Sequence, residues 1–415
     1  MSEWINTEFG FVPRNWTIQK IIDLQEKGIL LVEDGNHGNN RPQLYEFVNE
    51  GVTFIKAGDI ENQQVLFNSA LKINNQAYLR IRKGKGENGD TLITHKGTVG
   101  RVAFVPTNNT QPFVCSPQTT FYRTLDESTL KKEFIYYYLL SPFFQSQFDS
   151  RSGESDMAPY VSLTSQRSLL FLIPPIKEQN QIVEILSSIQ EKIHQLHHQN
   201  QTLEKMAETL FRQWFVEEEN TDTISQLTYI QNGYAFKSKD FKEIGSNGVV
   251  KIKNISGGII DIEKTDFIDN NVAQGVQYRF KIKTGDILIA MTGAEIGKLG
   301  IIPKTEKNLW LNQRVGLLKE KYKGSKYLAY LQLKSEFGQD YIENTATGSA
   351  QPNISGTGIE NCGFPKLTET QIKEYSIQIG ELYEKVIFNL GQIRTLSTLR
   401  DTLLPKLMSG EVRVV

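Results

Sequence analysis

Two glycine-rich segments carry the residue types of a phosphate-binding loop. They are GKGENGD (residues 84–90) and GAEIGKLG (residues 293–300). A P-loop places four residues between two glycines and follows the second with Lys and then Ser or Thr, whose hydroxyl binds magnesium. The second segment has three residues between Gly293 and Gly297, and Leu299 stands where the hydroxyl is needed. Glycines that bend a hairpin therefore explain both segments better than a nucleotide site.

Three clustered histidines offer a second candidate chemistry, a metal site. His194, His197 and His198 lie about one helical turn apart, and Glu191 is the one carboxylate beside them. The helical periodicity around them places all three on a polar face, and a zinc site would need further Cys, His or carboxylate ligands. A solvated helix face explains them better than a metal site. Ser, His and Asp are all present in the chain, but no nucleophile elbow motif brings them together.

The composition fits a globular protein of roughly two or three domains, because the chain has 415 residues, 39% hydrophobic and 10% aromatic. The two cysteines, Cys115 and Cys362, have neither zinc spacing nor a disulfide pattern. The sequence contains neither a signal peptide pattern nor an apolar run long enough to span a membrane, so we expect a cytoplasmic protein.

The charge is unevenly distributed, although the net charge is only −1. Residues 178–219 hold 8 acidic and 3 basic side chains, whereas residues 220–366 hold 15 acidic and 19 basic ones. This distribution permits DNA binding through local basic patches without requiring it.

The glycine-rich segments belong to an internal repeat of about 195 residues. GDTLITHKGTVGRVAFVP (89–106) recurs as GDILIAMTGAEIGKLGIIP (285–303), where Met291 replaces His95. A catalytic residue shared by two duplicated domains should not be lost from one of them, so His95 is not predicted to be catalytic. Further matching pairs are GVTFIKAGDI (51–60) with GVVKIKNISG (248–257), aligned on Lys56 and Lys253; SPQTTFYRT (116–124) with LNQRVGLLK (311–319), aligned on Gln118 and Gln313; and SGESDMAPYVS (152–162) with TGSAQPNIS (347–355).

Each half ends in a long helix with heptad spacing. In the first, one apolar seam consists of Ile182, Ile189, Leu196, Leu203 and Leu210, and the other of Leu186, Ile193, Asn200, Ala207 and Trp214. Five heptads predict a coiled-coil helix from about residue 178 to 215. The second helix has the same seam in Ile372, Ile379, Val386 and Ile393. Asn200 either fixes the register of a buried seam or marks a point where the seam is exposed.

We therefore predict an α+β protein with two duplicated domains, each followed by a long helix, and with the two helices paired as an antiparallel coiled coil. The predicted boundaries are a first domain at 1–176, a first helix at 177–217, a second domain at 218–366, and a second helix with the C-terminal tail at 367–415. The Gly-Asp aspartates, Asp90 and Asp286, are predicted to hold turns.

This organisation resembles the specificity subunit of Type I restriction-modification systems. The resemblance spans essentially the whole chain and is carried by the paired Gly-Asp elements, by the helix entries IPPIKEQNQI (173–182) and FPKLTETQI (364–372), and by the C-terminal LLPKLMSGEV (403–412). Each motif alone is weak, and their order and duplication make the resemblance specific.

The resemblance implies a non-catalytic DNA-recognition subunit. Each domain would be a target recognition domain that reads one half of an asymmetric site on double-stranded DNA, and the helices would space the domains and dock two modification (methyltransferase) subunits. Restriction subunits would complete the assembly, and no membrane would be involved. The family implies S-adenosylmethionine in the modification subunit and ATP with Mg²⁺ in the restriction subunit, with no cofactor in this chain. Two alternatives remain open: a stand-alone DNA-binding or regulatory protein with the same domains, and an enzyme whose motif is unrecognised.

Candidate DNA-reading residues are the polar, basic and aromatic side chains of the repeated loops, because such side chains reach base edges and phosphates. In the first domain they are His37, Arg41, Lys56, Thr98, Arg101, Gln118, Thr119 and Tyr160. In the second domain they are Lys253, Lys298, Asn312, Gln313, Arg314, Gln351 and Asn353. For each of these residues an ordinary surface role is an equal alternative. The acidic first helix is expected to contact protein rather than DNA.

Overall fold

The computed structural model describes residues 4–7, 10–35, 38–152, 159–215, 217–348 and 352–414. The chain divides into two compact units. The first unit combines residues 1–191 with residues 397–415, and the second contains residues 192–396. The first unit is therefore built from both ends of the chain.

The first unit contains short strands, short helices and the start of a long helix. The strands are β1 (Trp4–Thr7), β2 (Gly10–Pro13), β3 (Thr17–Lys20), β4 (Leu30–Asp34), β5 (Phe47–Val48), β6 (Val52–Ile55), β7 (Ile60–Glu61), β8 (Gln64–Val65), β9 (Lys72–Ile73), β10 (Thr91–Lys96), β11 (Thr98–Phe104), β12 (Phe113–Cys115), β13 (Thr119–Thr124) and β14 (Leu170–Ile173). The helices are α1 (Ile21–Glu26), α2 (Asn75–Arg80), α3 (Lys132–Leu140), α4 (Pro142–Ser152), α5 (Leu163–Arg167) and α6 (Ile176–Phe215).

Two four-stranded sheets organise the first unit. One has the strand order β11-β10-β13-β4, and the other has the order β12-β6-β9-β5. The main core lies between the first sheet and the aromatic helix α3, whose Phe134, Tyr138 and Leu139 are fully buried. The run of aromatic residues in α3 thus fills a core, and burial of such side chains dominates core energetics.

The second unit repeats the pattern. Its strands are β15 (Asp222–Thr223), β16 (Thr228–Asn232), β17 (Phe241–Lys242), β18 (Asn247–Val250), β19 (Ile255–Ser256), β20 (Gly258–Ile260), β21 (Asp266–Ile268), β22 (Lys281–Ile282), β23 (Ile287–Ala290), β24 (Leu299–Ile301), β25 (Asn308–Leu311), β26 (Val315–Glu320) and β27 (Gly363–Phe364). Its helices are α7 (Asn270–Gln274), α8 (Ser325–Lys334), α9 (Glu336–Thr345), α10 (Gly356–Glu360) and most of α11 (Glu369–Ser409).

Two sheets again form the framework of the second unit. The strand orders are β16-β26-β23-β24-β20-β19 and β17-β21-β18-β25-β22. Helix α8 buries Tyr327, Leu328 and Leu331 in the core of this unit, as α3 does in the first.

The ends of the long helices pair in opposite directions inside the first unit. Near the start of α6, Glu178 accepts a hydrogen bond from Arg413, beyond the end of α11. Three turns later along α6, Gln190 accepts a hydrogen bond at 2.8 Å from Arg400, which comes earlier in α11. As the residue number rises along α6, the residue number of its partner in the C-terminal part of the chain falls. This pairing is therefore antiparallel.

The remaining parts of the two helices pair in the same sense inside the second unit. Asn389 donates a hydrogen bond to Asn200 at 2.8 Å, and the rings of Trp214 and Tyr375 stack with centroids 4.5 Å apart. Asn200 is buried, with 6% of its surface exposed, so the buried-seam alternative is correct. The predicted α+β class, with its duplicated domains, long helices and antiparallel helix pairing, is confirmed.

Candidate nucleic-acid interface

The repeated Gly-Asp element forms the turn before a central strand in each unit. Asp90 Oδ2 accepts a hydrogen bond from the Glu87 backbone N–H at 2.7 Å, and Asp286 Oδ2 accepts one from that of Lys283 at 2.9 Å. Burial raises the pKa of both the Asp90 and the Asp286 carboxyl groups. The prediction that these aspartates hold turns is confirmed, and both lie in the interior rather than at a ligand surface.

Four strand ends meet at one end of the β11-β10-β13-β4 sheet in the first unit. Strand β10 ends at Lys96, β11 begins at Thr98, β13 begins at Thr119 and β4 ends at Asp34. Neighbouring strands in this sheet are antiparallel, so these four ends lie side by side. Tyr160 joins them, because it forms an isolated β-bridge with Lys96. We call this surface the first edge; it comprises the described parts of residues 35–41, together with residues 95–98, 116–119 and 159–161.

The second unit contains the equivalent surface. Strand β16 ends at Asn232, β23 ends at Ala290, β24 begins at Leu299 and β26 begins at Val315, again in antiparallel neighbours. We call this surface the second edge; it comprises residues 233–234, 291–298 and 312–315, with the described parts of residues 347–354.

Three backbone hydrogen bonds hold both edges in the same way. In the first edge they run from His95 N–H to Gln118 C=O (2.9 Å), from Gly97 N–H to Pro159 C=O (3.1 Å) and from Val161 N–H to His95 C=O (2.9 Å). In the second edge they run from Met291 N–H to Arg314 C=O (3.1 Å), from Gly293 N–H to Pro352 C=O (2.8 Å) and from Ile354 N–H to Met291 C=O (3.0 Å). One backbone scaffold is thus built twice and carries different side chains.

These bonds correct the sequence alignment of one candidate pair. Gln118 was aligned with Gln313 because the residue types match, but Gln118 and Arg314 are the equivalent residues. The backbone carbonyl of each accepts a hydrogen bond from the same position, the backbone N–H of His95 or of Met291. Strand register therefore overrides the match in residue type, and the second edge presents a guanidinium group where the first presents an amide.

A second candidate pair is corrected in the same way. Lys56 was aligned with Lys253, but Lys56 and Lys251 are equivalent, because each follows a core strand and enters a short 3₁₀ turn. The Lys56 N–H donates to Asp59 Oδ2 at 2.7 Å, and the Lys251 N–H donates to Asn254 Oδ1 at 2.9 Å. Lys251 is therefore a candidate that the sequence alignment missed.

Most of the described candidates in the first unit reach the surface. Lys56, Gln118 and Tyr160 are half-buried, and Arg41, Thr98 and Arg101 are exposed. Arg101 lies inside β11 rather than on the first edge, and its Nη1 donates to the Ile60 carbonyl at 3.2 Å. His37 and Gln351 lie outside the described residues.

Thr119 requires a correction. It is fully buried, and its hydroxyl lies 3.2 Å from the Ile55 carbonyl and 3.1 Å from the Ser116 carbonyl, to which it donates. The equivalent residue of the second unit is the buried Val315. Thr119 therefore supports the first edge from below, and its side chain is not available to read a base.

In the second unit, the candidates Asn312, Gln313, Arg314 and Asn353 come together at the second edge. Asn312 is half-buried, and the other three are exposed. Asn353 is held there by β-bridges to Thr292 and Thr347.

The remaining candidates of the second unit, Lys253 and Lys298, are exposed and form ion pairs. Lys253 Nζ lies 2.8 Å from Asp266 Oδ1, and Lys298 pairs with Glu295. Lys298 occupies the position equivalent to Arg101, next to the shared glycine bend.

Besides Lys251, the structure adds two further residues that sequence reasoning missed, Lys96 and Tyr234. Lys96 is exposed, and its Nζ lies 5.8 Å from the centre of the Tyr160 ring. Tyr234 is 36% exposed and forms a β-bridge with Asn312 at the second edge. A signal for Tyr234 existed in the sequence, because it follows an Asn-Gly pair that ends a strand, which is a turn pattern.

His95 lies beneath the first edge in a buried chain of hydrogen bonds. Gln166 Nε2 donates to the Val161 carbonyl and to Thr120 Oγ1, both at 3.1 Å. Thr120 Oγ1, which accepts that bond, also lies within hydrogen-bond distance of His95 Nδ1, at 2.7 Å. Tyr122 closes the chain by donating to Gln166 Oε1 at 3.1 Å. His95 is therefore buried in a polar network that supports the first edge from below.

Within the described residues, no group of three or more His, Cys, Asp or Glu side chains has the geometry of a metal site. A helix of the length and apolarity required to cross a membrane is likewise not found among those residues. Burial raises the pKa of the Cys362 thiol to about 12, and it raises that of Cys115 further, so neither cysteine is a reactive thiolate near neutral pH.

Comparison with known proteins gives consistent matches. Residues 13–205 match the family model of the Type I restriction modification DNA specificity domain. The chain is 23% identical to the MjaIX specificity subunit of a Type I restriction enzyme from Methanocaldococcus jannaschii, over 100% of this chain and 97% of that protein. It is also 23% identical to the HindI specificity subunit from Haemophilus influenzae, over 91% of this chain and 98% of that protein.

Among solved structures, the fold is similar to the S subunit of a Type I restriction-modification system from M. genitalium. The TM-score is 0.60 at 17% sequence identity, covering 95% of this chain and 96% of that one.

Proposed function

We propose that this chain, which is a specificity subunit of a Type I restriction-modification system, recognises a DNA target in two parts, one for each unit. As a specificity subunit it recognises DNA sequence and is not itself an enzyme. The observation that carries the two-part proposal is the pair of edges, which share three backbone hydrogen bonds but differ in their exposed side chains.

The differences between the edges support an asymmetric target. Identical edges would favour two identical half-sites. Here Gln118 is replaced by Arg314, and Tyr160 is replaced by Asn353. Arg makes bidentate contacts with guanine and Asn with adenine, whereas a tyrosine ring offers a stacking face. The two units should therefore prefer different base sequences.

Two linked units can achieve a specificity that one unit cannot. Each good bidentate base contact contributes roughly 1–3 kcal/mol of discrimination, so a single small surface distinguishes only a few base pairs. Linking two modules in one chain makes the second binding event intramolecular and multiplies their discrimination. A short specific sequence on each side of an unread gap is the target that this arrangement favours.

We assign the long helices to protein partners. In this proposal two modification subunits dock on α6 and α11, and restriction subunits join the assembly. Residues 178–219 carry 8 acidic and 3 basic side chains, a charge that repels phosphate and suits a protein surface. The modification subunit would supply S-adenosylmethionine, and the restriction subunit would supply ATP and Mg²⁺. The complex would act in the cytoplasm.

Methylated-base sequencing tests this function. A host that expresses this chain together with the modification subunit encoded beside it should acquire methylation at a two-part motif with a non-specific gap. Expression of the modification subunit alone is the control and should leave that motif unmethylated. Methylation at one continuous short motif, or equal methylation without this chain, would contradict the proposal.

A further inference from the structure

Two large apolar side chains project from a loop beside the first edge. Leu44 is 90% exposed and Tyr45 is 80% exposed, in a 3₁₀ turn formed by Leu44–Glu46. Arg41, a candidate of the first edge, precedes Leu44 by three residues, which limits their Cα separation to about 11 Å. Exposed apolar side chains of this size, set next to a binding surface, indicate contact with a ligand.

The turn beneath these side chains is rigidly held. Glu46 is 3% exposed, and its carboxylate accepts two hydrogen bonds of 2.6 Å from the guanidinium of Arg80. The same carboxylate accepts the Gln43 N–H at 2.7 Å, and the Glu46 carbonyl accepts the Asn74 N–H at 2.9 Å. A bidentate ion pair with a buried carboxylate fixes geometry, so Leu44 and Tyr45 are presented on a preorganised support.

A segment rich in basic residues contacts the Leu44–Glu46 turn through Arg80 and Asn74. Residues 62–86 contain five basic side chains and no acidic one. This segment includes Arg80, which anchors the turn, followed by Arg82 and Lys83, both exposed. Phosphates are the natural ligands of such a segment.

The basic segment reaches the first edge itself. The Gly84 carbonyl accepts a hydrogen bond from the Cys115 N–H at 2.7 Å. Gly84 also lies close to Gly35, because a Cβ atom added to Gly84 would be only 2.7 Å from the Gly35 Cα. Gly35 lies on the first edge, so the positive side chains next to Gly84 are part of the surface that would face DNA.

The second unit lacks this combination. Its equivalent segment, residues 257–282, contains four acidic and three basic side chains. Elsewhere in the second unit Ile244 is 86% exposed, and Tyr278, within this segment, is 80% exposed. Exposed apolar side chains thus occur in both units, but only in the first is their turn hydrogen-bonded, through Glu46, to a segment free of acidic residues.

We infer that Leu44 and Tyr45 form an apolar wedge that enters the DNA minor groove next to the half-site read by the first edge and partly unstacks one base step. Inserted apolar side chains of this kind kink a duplex, and the bend lets flanking basic residues reach more phosphate. Arg82 and Lys83 supply those phosphate contacts. This inference rests on the proposed function, because it needs the first edge to bind DNA.

The test uses the full chain assembled with its modification subunit and a duplex that carries the methylated motif. The variant is Leu44→Ser with Tyr45→Ser, and the matched control is Ile244→Ser with Tyr278→Ser in the second unit. All four side chains are exposed, so both proteins should keep the melting temperature of the wild type. The wedge variant should bind the duplex about ten-fold more weakly, and the control within about two-fold of the wild type.

A local probe separates a wedge from a simple contact. With 2-aminopurine placed at successive positions around the first half-site, the wild type and the control should raise its fluorescence at one step, because unstacking relieves quenching. The wedge variant should lose that increase. Separately, Arg82→Gln with Lys83→Gln should weaken binding to all duplexes and reduce the salt dependence by about two counterions.

Equal affinity and equal fluorescence for wild type and wedge variant would overturn the wedge while leaving the proposed function intact. Loss of subunit assembly without loss of DNA binding would also overturn it, since it would assign Leu44 and Tyr45 to a protein contact. If the wild-type assembly itself showed no preference for the motif duplex, the proposed function would fail together with the wedge.

Discussion

Gln118 and Arg314 occupy one position on two equivalent edges, and each is fixed through its backbone carbonyl. The side chain of such a residue is free to vary without disturbing the scaffold. Arg314 is exposed beside Gln313 and the half-buried Asn312, so these three neighbours offer one guanidinium and two amides to a ligand. These are the groups that recognise purine edges in the major groove.

Arg314→Ala is expected to affect only the half of the target read by the second unit. Loss of a bidentate contact should cost about 1–3 kcal/mol and relax the base preference at one position of that half. Lys323→Ala is the matched control, because Lys323 is an exposed basic residue beyond the opposite end of β26. Methylated-base sequencing of both variants measures the effect. Relaxation in the other half, or an equal effect of the control, would contradict the assignment of Arg314.

Glu46 carries a prediction about pH. The hydrogen bonds from Arg80 lower the pKa of the Glu46 carboxyl from 4.5 to about 2. A lowered pKa means that the ionised group stabilises the fold above about pH 4.5, and that this stabilisation is lost as the pH falls toward 2. Glu46→Gln should therefore lower the melting temperature at pH 7, with a difference from wild type that shrinks steadily below pH 4.5. Glu50→Gln, an exposed change nearby, is the control, and a difference that does not depend on pH would contradict the ion-pair account.

Individual residues were the least predictable part of the molecule. Residue type suggested that Thr119 contacts a base. The strand register buries it instead, and its hydroxyl lies within hydrogen-bond distance of two backbone carbonyls. Matching residue types also paired Lys56 with Lys253, whereas the shared 3₁₀ turn pairs it with Lys251. Both errors have one cause: burial and register depend on which strands become neighbours, and that information is not local in sequence.

Elements were more predictable, because heptad periodicity is local. The seam residues Ile182, Leu186 and Ile379 are buried as the spacing indicates, and α6 runs from Ile176 to Phe215. The seam is interrupted in the second unit by Asn200 and Asn389, which share one hydrogen bond while Asn200 Nδ2 and Asn389 Oδ1 have no partner. A buried polar pair of this kind fixes helix register at a cost in stability.

The asparagine pair gives a prediction about stability. Asn389→Leu leaves the buried Asn200 amide without its partner, and Asn200→Leu leaves Asn389 with Gln199 alone, so each should destabilise the protein by about 1–3 kcal/mol. The double variant removes both amides, so its melting temperature should recover to that of the wild type or exceed it. Thermal unfolding followed by circular dichroism measures all three. Purely additive losses in the double variant would show that the two side chains are not coupled.

At the scale of the whole molecule, duplication explains why one chain contains the same scaffold twice. The Gly-Asp turns, the glycine bends and the three backbone hydrogen bonds are common to both units. The side chains on the edges, the basic segment at residues 62–86 and the buried His95 chain distinguish the first unit from the second. The repeat and the order of its motifs could be predicted from the sequence. Which residues belong to the shared backbone scaffold, and which lie on the differing edges, follows only from the three-dimensional structure.

The most direct test of two-part recognition is a domain exchange followed by methylated-base sequencing. Residues 1–175, which end just before α6, are replaced by the corresponding residues of a Type I specificity subunit with a known target. The hybrid is expressed with the original modification subunit. We expect one half of the methylated motif to change to that of the donor, while the other half and the gap stay the same. A change in both halves, or in neither, would contradict the assignment of one half to each unit.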